Sequence, residues 1–156
     1  MSEAGLSVRS IVLEQDHVVA HEKNVFEVFR RLTGPVDLFV SAGSGTITDI
    51  TRFVAHRSGK GFLSMPTAPS VDGFTSPGAP LVIDGFKQTV PCRPPDLIAT
   101  DIKVLREAPA PMIATGFGGV LGKTTAVADW SLANLLADAP FDGEIADKQI
   151  YGSVPP

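Results

Sequence analysis

The chain has 156 residues, the size of one domain and enough to bury a real hydrophobic core. It is 44% hydrophobic, 19% charged and 7% aromatic, and its net charge of -4 is interspersed along the sequence, which excludes the basic stripe of a nucleic-acid binder. No apolar run approaches the roughly 20 residues that cross a bilayer, and the first residues lack the charged-then-apolar order of a signal peptide, so no membrane partner is expected. The single cysteine, Cys92, has no internal disulfide partner and reads as a free thiol, with a reducing cytoplasm as the expected compartment.

Alternation and β-branched residues predict a strand over Leu6 to Leu13. His21 to Leu32 predicts an amphipathic helix with Val25, Phe26, Phe29 and Leu32 on one face, stopped by Gly34-Pro35. Val36 to Val40 is a short apolar run suited to a buried parallel strand, and it leads into Ser41-Ala42-Gly43-Ser44-Gly45-Thr46. A helix over Thr46 to about Arg57 follows, with Ile47, Ile50 and Val54 inward, and then a strand over Gly61 to Met65 closed by Pro66. Strand, glycine-rich turn, helix and strand make one βαβ unit, half of a nucleotide-binding sheet. Leu81-Val82-Ile83 and Lys87 to Val90 flank Asp84-Gly85-Phe86 and predict a hairpin outside the main sheet. Asp96 to Thr100 reads as another strand, Asp101 to Glu107 as a short helix, and Pro111 to about Ala137 as a long helix with Leu121, Ala128, Leu132 and Leu135 among its apolar positions. Residues 138–156 are polar, end in Pro-Pro, and read as a loosely held tail.

Three segments hold residues suited to chemistry. In Gly43-Ser44-Gly45-Thr46, small residues at a strand-to-helix turn let phosphate oxygens reach backbone N–H groups at a positive helix end. Many such turns are glycine-rich for steric reasons alone, and the third glycine of the common dinucleotide fingerprint is missing. Asp49, in the first turn, complements the helix dipole and has a sufficient structural reason there. Pro66 to Gly78 leaves a strand end, where α/β folds bind ligands. There Thr67, Ser70 and Ser76 suit phosphate or ribose contacts and Asp72 suits a polyol, although turn formers in a surface loop explain the same composition. Thr115 to Trp130 places Gly116, Gly118 and Gly119 before Lys123, which either faces an anion or is solvated at a flexible helix start. His17, His21 and His56 are scattered, with no partner at ligand spacing.

Taken together, Gly-Ser-Gly-Thr-Ile-Thr-Asp (43–49), Thr-Ala-Pro-Ser-Val-Asp-Gly (67–73) and Gly-Phe-Gly-x-x-x-Gly-Lys followed by Ala-Asp-Trp (116–130) resemble bacterial sn-glycerol-1-phosphate dehydrogenases. These are related to the glycerol dehydrogenase, iron-containing alcohol dehydrogenase and dehydroquinate synthase-like proteins. The resemblance covers roughly residues 8–137. It implies an α/β fold: a partial Rossmann-like parallel sheet with a β-hairpin excursion over 1–108, then the first helices of an otherwise missing all-helical domain over 109–137, then the tail.

The resemblance further implies NAD or NADP as cofactor, with Gly45, Thr46, Ile47, Thr48 and Asp49 at its pyrophosphate. Thr67, Ala68, Pro69, Ser70 and Ser76 would lie nearer the nicotinamide, and Asp72 would hold glycerol phosphate. The implied reaction is reversible hydride transfer between NAD(P)H and dihydroxyacetone phosphate, with zinc or nickel as Lewis acid. The family's motif reads Gly-Phe-Gly-Asp where this chain has Gly119, so that metal-ligating carboxylate is absent. The two histidine ligands and the adenosine-ribose site would lie outside the chain, so no metal is expected to bind it. A sheet without its outer strands exposes an edge and an apolar face, from which marginal stability, a homo-oligomer or a complementing chain is expected.

Overall fold

The computed structural model of the chain describes residues 5–15 and 17–150. Helix α1 (Glu22–Arg31) is capped by His21, whose Nδ1 accepts from the Lys23 N–H at 3.3 Å. It buries Asn24 and Val25 and leans Val28 and Phe29 on the core. Phe26, expected on the inner face, is 68% exposed, because the inward arc of the helix is centred on Asn24, Val25 and Val28.

Strand β1 (Leu38–Gly43), helix α2 (Gly45–Arg57) and strand β2 (Gly61–Pro66) form the expected βαβ unit, but β1 is not the buried strand expected, since Leu38 and Val40 are about half exposed on a face that no described element covers. β1 and β2 pair in parallel from Leu38 opposite Gly61 to Gly43 opposite Pro66. α2 covers the sheet with Ile50, Val54 and Ala55, each almost wholly buried, while Thr48 meets Ser64 of β2 across a 3.3 Å hydroxyl pair. Its last turn carries His56 and Arg57, suited to the negative end of the helix dipole.

After a 3-10 turn at Gly73–Thr75, strands β3 (Gly78–Ile83) and β4 (Phe86–Pro91) make the expected hairpin. Asp84 and Gly85 have φ of 50° and 79°, the pair of positive angles that a two-residue hairpin loop needs to follow the strand twist. β5 (Leu97–Ile98) then joins β2 in parallel, giving a three-stranded sheet in the order β1-β2-β5. It is shorter than expected: Asp96 spends its carboxylate on the Phe62 N–H, 2.9 Å away, and Thr100 donates to the Pro66 carbonyl at 2.8 Å.

The strand expected over Leu6 to Leu13 does not form. Its residues pair with no strand among those described, and Leu6, Val8 and Val12 are mostly exposed. Arginines tie the segment down instead: Arg9 donates to Thr33 and to the Pro35 carbonyl, and Arg31 donates to the Val12 carbonyl. Alternation alone does not make a strand when no neighbour offers a ladder.

Helix α3 (Ile102–Arg106), capped by Asp101, leads to α4 (Ala110–Ala137), a helix of 28 residues. The half-buried positions of α4 are Met112, Gly116, Val120, Lys123, Val127, Trp130 and Ala133, a single stripe at three- and four-residue spacing. Leu121, Ala128, Leu132 and Leu135 all lie outside that stripe and face outward. Asp138, with φ of 51°, ends α4 in a left-handed cap. The expected loose tail contains a further helix, α5 (Gly143–Ile150), folded back so that Gln149 reaches Lys123 and Phe141 packs against Trp130 with ring centroids 4.7 Å apart. Ala146 of α5 is buried; residues 151–156 of the expected tail lie outside the described residues.

Candidate functional site

Parallel pairing brings the carboxyl ends of β1 and β2 to one edge of the sheet, so the loops that leave them lie side by side. The Thr67 N–H donates to the Gly43 carbonyl at 3.0 Å and ties the two loops together. Between them and the start of α4 is a cavity of 270 Å³ lined by Ser44, Gly45, Thr46, Ser70, Val71, Pro111, Met112 and Thr115. The first-turn N–H groups of α2 open towards this side, since a helix supplies no internal acceptor for them. Ser44 caps that helix without a side-chain hydrogen bond. A Cβ on Gly45 would meet Val71 Cγ2 at 2.7 Å, so glycine is what lets the loop over β2 close on the turn.

The expected cofactor residues divide by environment. Gly45, Thr46 and Ser70 line the cavity. Ala68 is 2% exposed and anchors its loop, Pro69 turns its carbonyl onto Gly116 of α4, and Thr67 is exposed. Ile47 packs against Gly43, and the Thr48 hydroxyl is taken up by Ser64. The Ser76 hydroxyl accepts from the Gly78 N–H at 3.1 Å, a turn-forming contact. Asp49 and Asp72 are both held by cations.

Arg52 was not marked out by the sequence, yet it organises one wall. Its side chain is 1% exposed and donates to Asp49 Oδ1 at 2.8 Å and to the carbonyls of Gly78, Gly73 and Phe74 at 2.6, 3.0 and 2.8 Å. One α2 side chain thereby fixes the whole 73–78 segment. Burial opposes charge on both partners: it pushes the Asp49 carboxyl up to about 6 against the pull of Arg52 and Lys87, and it lowers the Arg52 guanidinium. The sign for stability follows. Between 3.8 and about 6 the folded chain holds a proton on Asp49 that the unfolded chain has lost, so this contribution is full below 3.8 and disappears as pH rises through about 6. D49N keeps an oxygen acceptor for Arg52 and is expected to remove that slope, a difference on the order of 1 kcal/mol across the window once solvent screening of this part-exposed group is allowed for. Urea midpoints of both proteins at about pH 4 and pH 7 measure it, and parallel pH profiles would contradict it.

Asp72 follows Val71 of the cavity wall, and Lys123 of α4 pairs with its Oδ2 at 2.7 Å. The lysine hydrogen bond holds the Asp72 carboxyl below the usual carboxylate range. Lys123 also donates to Gln149 Oε1 at 2.8 Å.

Residues 1–109 match the iron-containing alcohol dehydrogenase family. The chain belongs to that family. It is 43% identical over 140 residues to glycerol-1-phosphate dehydrogenase [NAD(P)+] of Bacillus velezensis, covering 88% of this chain and 36% of the relative. To the enzyme of the same name from Bacillus licheniformis it is 46% identical over 128 residues, covering 82% of this chain and 32% of the relative. The chain thus spans about a third of the length of these relatives. Among solved structures it resembles glycerol dehydrogenase from Schizosaccharomyces pombe, with a TM-score of 0.67, 22% identity, and coverage of 78% of this chain and 31% of that one. It also resembles 2-deoxy-scyllo-inosose synthase solved with carbaglucose-6-phosphate, NAD+ and Co2+, with a TM-score of 0.54, 17% identity, and coverage of 65% and 30%. These likenesses establish the Rossmann-like α/β fold.

The described residues do not fit a metal centre. Gly119 is exposed on α4 and offers no donor, and the described residues contain no group of three or more His, Cys, Asp or Glu side chains able to hold an ion. His21 and His56 are instead used as acceptors for the backbone N–H groups of Lys23 and Arg93.

Proposed function

We propose that this chain carries the dinucleotide-binding part, and one substrate contact, of an NAD(P)-linked glycerol-1-phosphate dehydrogenase. The reaction is the reversible reduction of dihydroxyacetone phosphate to sn-glycerol 1-phosphate. The observation that carries the reading is the cavity at the carboxyl edge of β1 and β2, floored by Gly45 and the α2 N-terminus, in a chain more than 40% identical to enzymes of that name.

In this reading the backbone N–H groups of Gly45, Thr46 and Ile47 hold the pyrophosphate. Thr48 and Asp49 keep the first turn of α2 in place through Ser64 and Arg52. Thr67, Ala68, Pro69 and Ser70 form the wall nearer the nicotinamide, Ser76 supports it, and Asp72 accepts hydrogen bonds from the glycerol hydroxyls. A zinc or nickel ion supplies the Lewis acid that polarises the reacting carbonyl in this chemistry. Among the described residues, Gly119 and the scattered histidines do not form a site for it.

Isothermal titration of the chain with NADH tests the reading. Micromolar binding is expected, and G45A is expected to weaken it at least about tenfold, because the added methyl drives Val71 into the cavity. Absence of binding to the parent chain would remove the proposal. The lack of a donor at Gly119 favours a second reading, a non-catalytic nucleotide- or phosphate-binding module; NADH binding without turnover of dihydroxyacetone phosphate is its signature.

A further inference from the structure

We propose that Lys123 is a positioning residue for Asp72, and that through it α4 and α5 set the substrate side of the site. This rests on the reading of Asp72 as the contact for a glycerol phosphate hydroxyl. Asp72 sits on a loop, just before the 3-10 turn at Gly73–Thr75, and its side chain is 54% exposed. Lys123 comes from the half-buried stripe of α4 and is itself 24% exposed, shielded enough for its ion pair to have a defined geometry. Its Nζ stands 2.7 Å from Asp72 Oδ2 and donates to Gln149 Oε1 of α5 at 2.8 Å, so the ammonium is aimed from two sides. Gly116, two turns earlier on the same stripe, seats α4 directly against the Pro69 carbonyl, three residues before Asp72. The loop is therefore held to α4 at two points, one steric and one ionic. Lys123 is the charged group that faces Asp72 from α4; its hydrogen bond lowers the pKa of the carboxylate and orients an acceptor towards a substrate hydroxyl.

The test uses the chain itself, with the Asp72 carboxyl carbon followed by NMR across an acid titration and sn-glycerol 1-phosphate as the binding probe. In the parent chain Asp72 is expected to titrate below the ordinary aspartate value. K123Q is expected to return it to that value and to weaken glycerol 1-phosphate binding about tenfold, and K123R to restore both in large part. D72N should bind as weakly as K123Q, and the double variant D72N/K123Q no more weakly than D72N alone, as expected of a lysine that acts only through the aspartate. An Asp72 titration unmoved by K123Q in a protein with an unchanged melt overturns the proposal, as does a further loss in the double variant, which would make Lys123 a direct ligand contact. If the titration moves as expected but the parent chain binds no glycerol 1-phosphate, the pairing stands and the assignment of Asp72 to substrate falls.

Discussion

Replacing Arg52 with alanine is expected to destabilise the chain by about 3–5 kcal/mol, a large share of the roughly 5–15 kcal/mol that holds a typical domain together. The guanidinium is almost completely buried and donates to one carboxylate and three backbone carbonyls, the Gly78 contact buried and the other three part-buried. R52A leaves the Gly78 and Phe74 carbonyls and Asp49 without this donor, the Gly73 carbonyl keeping the Ser76 N–H, and leaves Asp49 half-buried beside an empty space. R52K is expected to recover little of the loss. An ammonium is a point donor and cannot serve, from one side chain, acceptors that a planar fork reaches in different directions. The centroid of the Phe62 ring lies 6.0 Å from the guanidinium carbon and adds a face that favours arginine further. Urea unfolding gives the loss directly, and amide exchange at Phe74 and Gly78 reports whether the segment opens locally. A loss below about 1 kcal/mol would show that these contacts are dispensable.

The second large effect distinguishes four glycines of one helix. Alanine is a better helix former than glycine by about 1 kcal/mol, so G118A, G119A and G122A, where an added methyl meets nothing within 4 Å, are each expected to stabilise the chain by about 0.5–1 kcal/mol. G116A has the opposite sign. Its methyl would occupy the position of the Pro69 carbonyl, a backbone group that cannot rotate aside, so either α4 lifts off the loop or the loop moves. A loss of about 2 kcal/mol or more is expected, together with loss of the cavity wall that Met112 and Thr115 contribute from the same helix. Thermal melts of the four variants decide it, and G116A melting with the other three would show that the α4 contact is absent in solution.

The parts of the fold legible in the sequence are those governed by near neighbours. β1, α2 and β2 follow from apolar runs broken by glycine, and the β3–β4 hairpin follows from Asp84-Gly85, a pair chosen for its backbone angles. Legibility fails where a distant partner decides. The alternation of Leu6 to Leu13 has no ladder beside it, and β5 is cut short by what Asp96 and Thr100 bond to. In α4, apolar residues occur all round the helix, so periodicity could not say which face turns inward; small Gly116 and charged Lys123, rather than the leucines, mark it. Arg52 did leave a trace. It stands four residues after Thr48 and three before Ala55, on the inward arc of α2, where a charge requires buried acceptors. The pairing of Asp72 with Lys123 had no local signal, since each residue alone reads as a solvated charge.

The single stripe along α4 makes the rotational phase of that helix a quantity the chain has to conserve. Gly116 and Lys123 are two turns apart on one face, each matched to a feature of the same loop. One residue inserted between them would swing Lys123 about 100° around the axis and carry it off Asp72, while leaving helix length and composition almost untouched. The same insertion in the connection between α3 and α4 leaves the two in step with each other. Length variation among natural versions of this chain should therefore be permitted before Pro109 and forbidden from Gly116 to Lys123, even though the forbidden stretch is largely exposed and carries no donor for chemistry.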